Sequence, residues 1–506
     1  MQHKHLLAAA IAAALLASCS DDKPVEKKSE PVKLAAVSAE QMADEAEARY
    51  KKNSEALDGE YRREGSGAVS TGNLTLPADN GEPVTLTITD TITYDQSLRD
   101  QGIIARVETR FAPQEAFAQA IKAFVPWRPA DDNLIPVMAN HLQMRNDLLA
   151  DDNVHSTFGF TPFQTQKDGS SIDFKGGQYE QRYNEKTPDI SDYRLTIEPL
   201  TITDSGKDGK GSTTTFTAIK GDWGNKADGS AYLNIEPIKI ENTSGVGLGS
   251  LEIEGIKGSG SGIAFDKALG AYLGKGGINI ANIRYTQNGQ TTKLGDINLD
   301  IDNNKTAGGN YNSAFGLTLK LDGASLQRNI PQLPVAPQNL RLNVSVSDIS
   351  ARANASLSEA MQLISAQTQP GSTDIPPAAK DKFDLALADL IRDKTRFNAE
   401  LSVETDSGNA GMTAAFGIRK DSSVAPETWQ SALNDANPAT LQNLLKENLD
   451  LNIDAHISKG LADKTGLTPL IESRGAMFIT RADDEYRVKL ENNNGKITLN
   501  GMPMPF

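Results

Sequence analysis

Three observations predict an α+β protein that is predominantly antiparallel β, with long meandering sheets and amphipathic helices packed on one side. Apolar and polar residues alternate with period two along many segments. Asp-Gly or Asn-Gly pairs begin at positions 58, 80, 168, 208, 228, 288, 322, 494 and 500, and such pairs accept the positive φ of tight hairpin turns. Helical periodicity is confined to a few zones.

The chain opens with a processing signal. Lys4 gives a positive start, and Leu6 to Ala17 is an uncharged run of Leu, Ile and Ala. That run is too short for an ordinary membrane span, which needs about 20 residues, and reads as a signal peptide over 1–18. It ends in Leu16-Ala17-Ser18-Cys19, which resembles the lipobox of bacterial lipoproteins. The resemblance implies cleavage before Cys19 and acylation of its thiol and new amino terminus. Several acyl chains anchor stably where one is marginal. An aspartate directly after the cysteine would imply inner-membrane retention. Ser20 stands there, followed by Asp21 and Asp22, so a lipid-anchored, periplasm-facing location is expected, with the outer membrane favoured. The charged, Pro-containing stretch to residue 36 has too few apolar groups to fold and is expected to be a tether.

A body over 37–325 follows. Ser38 and Gln41 stand at capping-box spacing before a helix to about Lys51, whose apolar face is mostly alanine and is expected to pack weakly. Val84, Leu86, Ile88, Ile92 and Tyr94 form one face of a strand, interrupted by Asp90, and five threonines form the other. A helix is expected near Pro113, with Phe117, Ile121 and Phe124 on one side, and another over Asn133–Leu149. Weaker strand patterns lie at 193–202, 231–240 and 278–285. Stronger ones fall at 315–321, 340–346, 397–403 and 449–457. Local turns predict a meander of consecutive hairpins. The prolines of 326–338 suggest a connector to an α+β part over 339–506. In that part Ser356 and Glu359 suggest a capping box. Phe383, Leu387, Leu390 and Ile391 form an amphipathic stripe, and short helices are expected near 427–447.

The 506 residues carry 51 Lys and Arg against 66 Asp and Glu, a formal charge of −15, which excludes the basic footprint of a nucleic-acid binder. One cysteine permits neither an internal disulfide nor a Cys-based zinc site. His141, His155 and His456 are far apart in sequence and share no metal-binding spacing. Gly258 to Gly262 alternates Gly and Ser in the wrong phase for a nucleophile elbow and reads as a bulge or loop. Gly206 to Ser212 lacks the lysine of a phosphate loop. Asp300, Asp302 and Asn304 open like a calcium loop, but Lys305 and Tyr311 occupy its glycine and glutamate positions. The acidic clusters at 131–132, 151–152 and 483–485 read as solvated turns. Trp127 and Trp223 read as packing residues. No catalytic, cofactor-binding or metal-binding residue is nominated, and Cys19 is the one candidate site, for lipidation.

The closing Asn494 to Met502, NGKITLNGM, and the segment Phe174 to Tyr179, FKGGQY, resemble YdgA-like bacterial envelope proteins, the domain of unknown function 945 family. The resemblance implies an envelope protein with an antiparallel β-rich periplasmic body, and it transfers no catalytic residues. The chain departs from the family by having a lipobox in place of an uncleaved membrane helix, and by lacking an early His-Gly-Pro run.

A non-enzymatic cell-envelope lipoprotein acting as a scaffold, interaction or lipid-handling protein is the leading expectation. The balance leans away from an enzyme. The alternatives are a hydrolase of envelope glycan or lipid, and a surface adhesin or assembly partner. The expected partners are the membrane, through the anchor, and a lipid or an envelope protein.

Overall fold

The computed structural model describes residues 33–53, 60–77, 83–118, 134–167, 169–205, 211–243, 249–367, 376–434, 438–475, 478–493 and 495–504. The expected signal peptide, Cys19, most of the expected tether, Trp127, the acidic pair 131–132 and the loop 206–210 lie outside the described residues. The chain forms two compact units, Met1–Ser259 and Gly260–Phe506.

The first unit begins with helix α1 (Ala39–Asn53). The expected capping box is present: Gln41 N donates to Ser38 Oγ at 3.2 Å, and Ser38 N donates to Gln41 Oε1 at 3.2 Å. Strands β1 (Glu60–Glu64), β2 (Gly67–Pro77), β3 (Pro83–Thr93), β4 (Ile103–Ala112), β5 (Leu142–Leu149) and β6 (Asn153–Phe160) pair in sequence as an antiparallel ladder. The alanine face of α1 packs firmly, contrary to expectation. Ala43, Ala46 and Tyr50 are buried against Ile92, Tyr94, Val107, Leu148 and Val154, because small side chains let the helix lie close to the sheet. Arg49 fixes its far end, with Nη1 2.7 Å from Glu185 and further bonds to the carbonyls of Leu149 and Asn153. Asp90, the polar residue on the apolar face, is buried and accepts hydroxyl bonds from Tyr50 and Thr109, each at 2.7 Å.

The helix expected over 133–149 is half strand. Helix α2 (Leu134–His141) stops at His141, and Leu142 onward enters β5 between β4 and β6. Of the helix expected near Pro113, residues 114–118 are helical, with Phe117 buried, and Ile121 and Phe124 lie outside the described residues.

Beyond β6 the simple meander gives way to two alternating ladders. The strands are β7 (Phe163–Lys167), β8 (Ser170–Phe174), β9 (Gly177–Asn184), β10 (Thr187–Ile197), β11 (Leu200–Asp204), β12 (Ser212–Phe216), β13 (Ile219–Asn225), β14 (Ala231–Ile235), β15 (Ile238–Asn242) and β16 (Gly249–Ile253). One ladder joins β6, β9, β10, β13 and β14, and the other joins β7, β8, β11, β12, β15 and β16. Each long strand is broken by a short non-strand step, so its two halves pair in different ladders. Pro162, Pro199 and Pro237 occupy three of these steps and Gly176 a fourth. Proline cannot donate to a ladder and glycine permits the bend, here with φ 102°.

Strand β17 (Gly255–Asp266) contains the boundary between the units. The Gly258–Gly262 stretch, expected as a bulge or loop, lies within this strand, with Gly262 alone at positive φ.

In the second unit β18 (Ala271–Gln287), β19 (Gln290–Lys305), β20 (Tyr311–Leu321), β21 (Pro337–Ile349), β22 (Arg396–Thr405), β23 (Gly408–Ile418), β24 (Leu449–Ser458), β25 (Thr480–Ala482), β26 (Glu485–Asn493), β27 (Lys496–Leu499) and β28 (Met502–Pro503) pair antiparallel in the order β18 to β24, then β26, β27 and β28, with β25 beside β26. This region follows the predicted meander. The Asn288-Gly289 turn joins β18 to β19 with φ of 50° and 77°, the primed geometry that suits hairpin twist. Gly295 is required in β19, because a Cβ there would fall on the Lys320 carbonyl oxygen of β20.

The helices of this unit gather at the strand ends. Helix α3 (Gly323–Asn329) is capped by Asp322 and tied to the start of β19 by Lys293 N donating to Ser325 Oγ at 3.0 Å. The segment 326–338 therefore lies inside the second unit, between paired strands β20 and β21. Helices α4 (Ala351–Gln367) and α5 (Pro377–Arg392) pack antiparallel, with Arg352 Nε 2.8 Å from Asp389 and Glu359 paired to Lys382. The cap of α4 is Ser350, whose Oγ accepts from Ala353 N at 3.2 Å. Ser356 and Glu359 lie within the helix, so the expected capping box is not formed. The buried face of α5 is Ala379, Ala386, Ala388 and Asp389, whereas Leu387 of the expected stripe is exposed. Alanine permits the close approach of α4, and a buried Asp389 needs the guanidinium groups of Arg352 and Arg392. Near the pair's base, Leu269, Tyr311, Ile349 and Ala353 form a small core. The expected helices near 427–447 are α6 (Pro426–Asn434), with Trp429 fully buried, and α7 (Pro438–Asn448). Helices α8 (Lys459–Lys464) and α9 (Thr468–Arg474) follow β24.

Candidate functional site: an open apolar sheet face

The register of the second unit aligns its apolar residues into rows that run across the strands. One row is Ile280, Ile297, Leu319, Leu340, Val403, Ala410, Ile457 and Tyr486. The next is Ile278, Leu299, Leu317, Leu342, Leu401, Met412, Ala455 and Val488. A third runs from Gly276 through Ile301, Phe315, Val344, Ala399, Ala414 and Ile453 to Leu490. Directly opposed residues point to the same side of a sheet, so the rows share one face. At about 4.8 Å between strands and about 7 Å between rows, they cover roughly 34 Å by 14 Å.

Apart from Tyr486, none of these residues is buried. Ile301 is 47% exposed and Met412 is 40% exposed. The contrast with the first unit is direct. There α1 covers Ile92, Leu148 and Val154, Phe117, Ala118 and Ala139 pack on Leu86, and all four covered residues are nearly inaccessible. In the second unit the buried apolar residues belong almost entirely to the helices and strand ends, such as Ile349, Ile418, Trp429 and Leu461.

The reverse face is ordinary solvated sheet. Asn279 donates to Asn298 at 2.8 Å, Asn343 to Glu400 at 3.1 Å, and Arg487 Nε to Asp454 at 2.8 Å. The Arg487 guanidinium holds the Asp454 carboxyl below the usual carboxylate range. Asp300, Asp302 and Asn304 lie in β19, with Asp302 paired to Lys275 at 2.9 Å, so they form a strand and not a calcium loop.

The histidines are not assembled into a site. His141 Nδ1 lies 2.8 Å from Thr161 Oγ1, with its ring beside Phe163. His155 Nε2 lies 3.3 Å from Glu180, and burial, followed by the Arg182 charge, pushes its pKa down. His456 sits on the polar side of β24, level with Gly411 and Arg487. Trp223 is a packing residue, as expected, stacked on Tyr193 at 5.6 Å between ring centres. Burial, with Tyr193 nearby, raises the Tyr179 hydroxyl in the same cluster to about 12. Asp152 is a turn residue whose carboxyl is held down at about 2 by Lys186 and Lys52. Among the described residues, no group of three or more His, Cys, Asp or Glu is arranged to hold a metal ion, and no helix is long and apolar enough to cross a membrane.

The sequence raises the apolar sheet face as a lipid-handling groove but does not give its exposure. Alternation marks one apolar side of each strand, but the same pattern describes an ordinary buried core.

Residues 68–506 match the family described as bacterial protein of unknown function, DUF945, and the chain belongs to that family. The match extends over both units and leaves residues 1–67, with α1 and β1, outside it. No curated protein and no solved structure matches the chain.

Proposed function

We propose that this protein is a cell-envelope lipoprotein, anchored through Cys19, that handles lipid without catalysing a reaction, and that the apolar face of β18 to β26 carries acyl chains. The observation that supports this most is the set of apolar rows left uncovered by the helices of their own unit. Hydrocarbon needs shape and apolar surface but no hydrogen bonds, and the rows offer no polar side chain other than the Tyr486 hydroxyl at one end. Conventional protein interfaces of comparable area carry several hydrogen bonds and an enriched set of aromatic and Arg anchors. Within the rows Phe315 is the one large aromatic residue, and one register step beyond them on the same face Phe397 stacks on Phe416 at 5.1 Å. The signal-peptide-like start and the lipobox-like Leu16 to Cys19 support a membrane location, where such chains are available.

The test is a photoreactive amino acid at Leu401 or Met412 in the full chain, irradiated in cells and analysed by mass. Lipid adducts at these positions, and none at Thr413 on the reverse face, are the expected result. Adducts to protein alone, or equal labelling at all three positions, overturn the proposal. Cys19→Ala is expected to release the protein from washed membranes, and full retention refutes the anchor.

A further inference from the structure

The hairpin of α4 and α5 carries a second apolar surface in the unit that holds the rows. Its seam consists of Ala353 and Ala360 on α4 and Ala379 and Ala386 on α5, all buried. At about 100° per residue, Leu357, Met361 and Ile364 lie beside this seam on α4, and Phe383, Leu387 and Ile391 lie beside it on α5. The ion pairs Arg352–Asp389 and Glu359–Lys382 run along the other border of the seam, where Leu385 also falls. In antiparallel helices such equal offsets put both apolar triplets on one side of the hairpin. Leu357, Met361 and Leu387 are 41%, 54% and 40% exposed, so this side is open like the rows.

The two open surfaces face the same way. Leu390, on the apolar side of α5 near its base, packs against the core of Tyr311, Ile349 and Ala353. Val346 packs against that same core, and it follows Val344 of the third row by two residues, so it shares the row face. The hairpin thus rises from the ends of β21 and β22, the two central strands of the rows, with its apolar side turned toward the row side. Its size also matches. Helix α4 has 17 residues and is about 25 Å long, more than the roughly 14 Å that the rows extend along the strands. Two helices side by side are about 20 Å wide, the span of about four strands.

The joint between hairpin and sheet is narrow. Asp348 and Lys394, at the two crossings, are non-glycine residues with φ of 63° and 56°. Thr395 Oγ1 donates to the Asp348 carbonyl at 3.3 Å, so the crossings lie side by side. Asn354 ties down the first turn of α4. Its Oδ1 accepts from the Tyr311 hydroxyl at 2.7 Å, and its Nδ2 donates to the carbonyls of Leu269 at 3.0 Å and Gly270 at 3.1 Å.

We propose that the α4–α5 hairpin is a cover for the rows. In a minor, closed arrangement it swings about Asp348 and Lys394, lays its apolar side on β20 to β23 and displaces bound acyl chains. This rests on the lipid-carrying face proposed above and supplies its regulation. Closure breaks the three Asn354 bonds and parts α5 from α6 beside it, so the open arrangement dominates in the parent. The cover hides an unloaded apolar face that would otherwise stay open to other chains.

The test uses the purified full chain in a Cys19→Ala background, with spin labels at Gln362→Cys on α4 and Thr413→Cys on the reverse face of β23, and reads their separation by pulsed spin resonance. A second distance, at least about 10 Å shorter than the main one, is expected as a minor population, because Gln362 lies about 16 Å along α4 from its base. Asn354→Ala should raise that population about tenfold, since it removes bonds made only in the open arrangement, and a monomeric fatty acid should lower it again. Adding Leu357→Asp and Leu387→Asp to Asn354→Ala should abolish the short distance and restore fatty-acid affinity, because the closed arrangement would bury both charges. One distance that Asn354→Ala leaves unchanged overturns the cover. A broad distribution that persists with the aspartates also overturns it, by marking a melted hairpin. A short distance that responds to Asn354→Ala and to the aspartates, in a protein that binds no fatty acid, upholds the cover and removes the lipid-carrying face instead.

Discussion

Leu401→Ala separates an open face from a hidden core. Leu401 lies in the middle row between Leu342 and Met412 and is 38% exposed. Full burial of a leucine side chain is worth about 2 kcal/mol. With more than a third of its surface open and water free to fill the vacated space, truncation leaves no closed cavity and should cost about 1 kcal/mol or less. Leu461→Ala in the same unit is the matched control. Leu461 is a buried residue of α8, and the same chemical change there should cost about 2–5 kcal/mol. Urea unfolding followed by hydrogen exchange reads each unit through its own peptides, so a transition in the first unit does not obscure the comparison. A penalty at Leu401 equal to that at Leu461 would mean that the rows are covered in solution, and the reasoning from exposure would fail.

Two further outcomes concern the first unit. Tyr50→Phe removes one of the two hydroxyl donors to the buried Asp90 carboxyl and is expected to destabilise this unit by about 1–3 kcal/mol, whereas a loss under about 0.5 kcal/mol would show that water replaces the donor. Asp152 has its folded-state pKa depressed to about 2 by Lys186 and Lys52, so its contribution is present above the unfolded carboxyl value and is lost as pH falls through about 2. Between about pH 4 and 2 the parent should therefore lose stability more steeply than Asp152→Asn, and parallel acid-unfolding curves would contradict the pairing.

Much of the second unit is legible in the sequence because each strand there satisfies a local rule. Leu340 to Val346 and Phe397 to Val403 alternate cleanly, and Asn288-Gly289 specifies its own turn. The first unit is harder to read, because β7 to β16 are short and bent. Pro162, Pro199 and Pro237 are visible in the sequence, but they act by ending one ladder and starting another, and no local pattern reveals the partner. Leu142 to Leu149 carries a helical spacing of leucines, and tertiary pairing with β4 and β6 overrides it. At the candidate site the identity of the apolar residues is legible and their exposure is not. Exposure depends on where α4 and α5 pack, and their alanines and Asp389 turn them toward each other.

The rows also bear on why a second copy of the chain is a poor occupant. An area near 500 Å² is at the upper end of what ordinary soluble monomers leave open. If two copies closed over it, about three to five hydrogen bonds would be expected in the contact, together with some feature that fixes alignment. The rows supply neither, because Ile, Leu, Val and Ala repeat along them and a shift by one strand matches nearly as well as the starting register. That uniformity is a defect in a specific protein interface. For a hydrocarbon chain it is an advantage, because the binding free energy changes little from one strand to the next and no single position holds the chain in place.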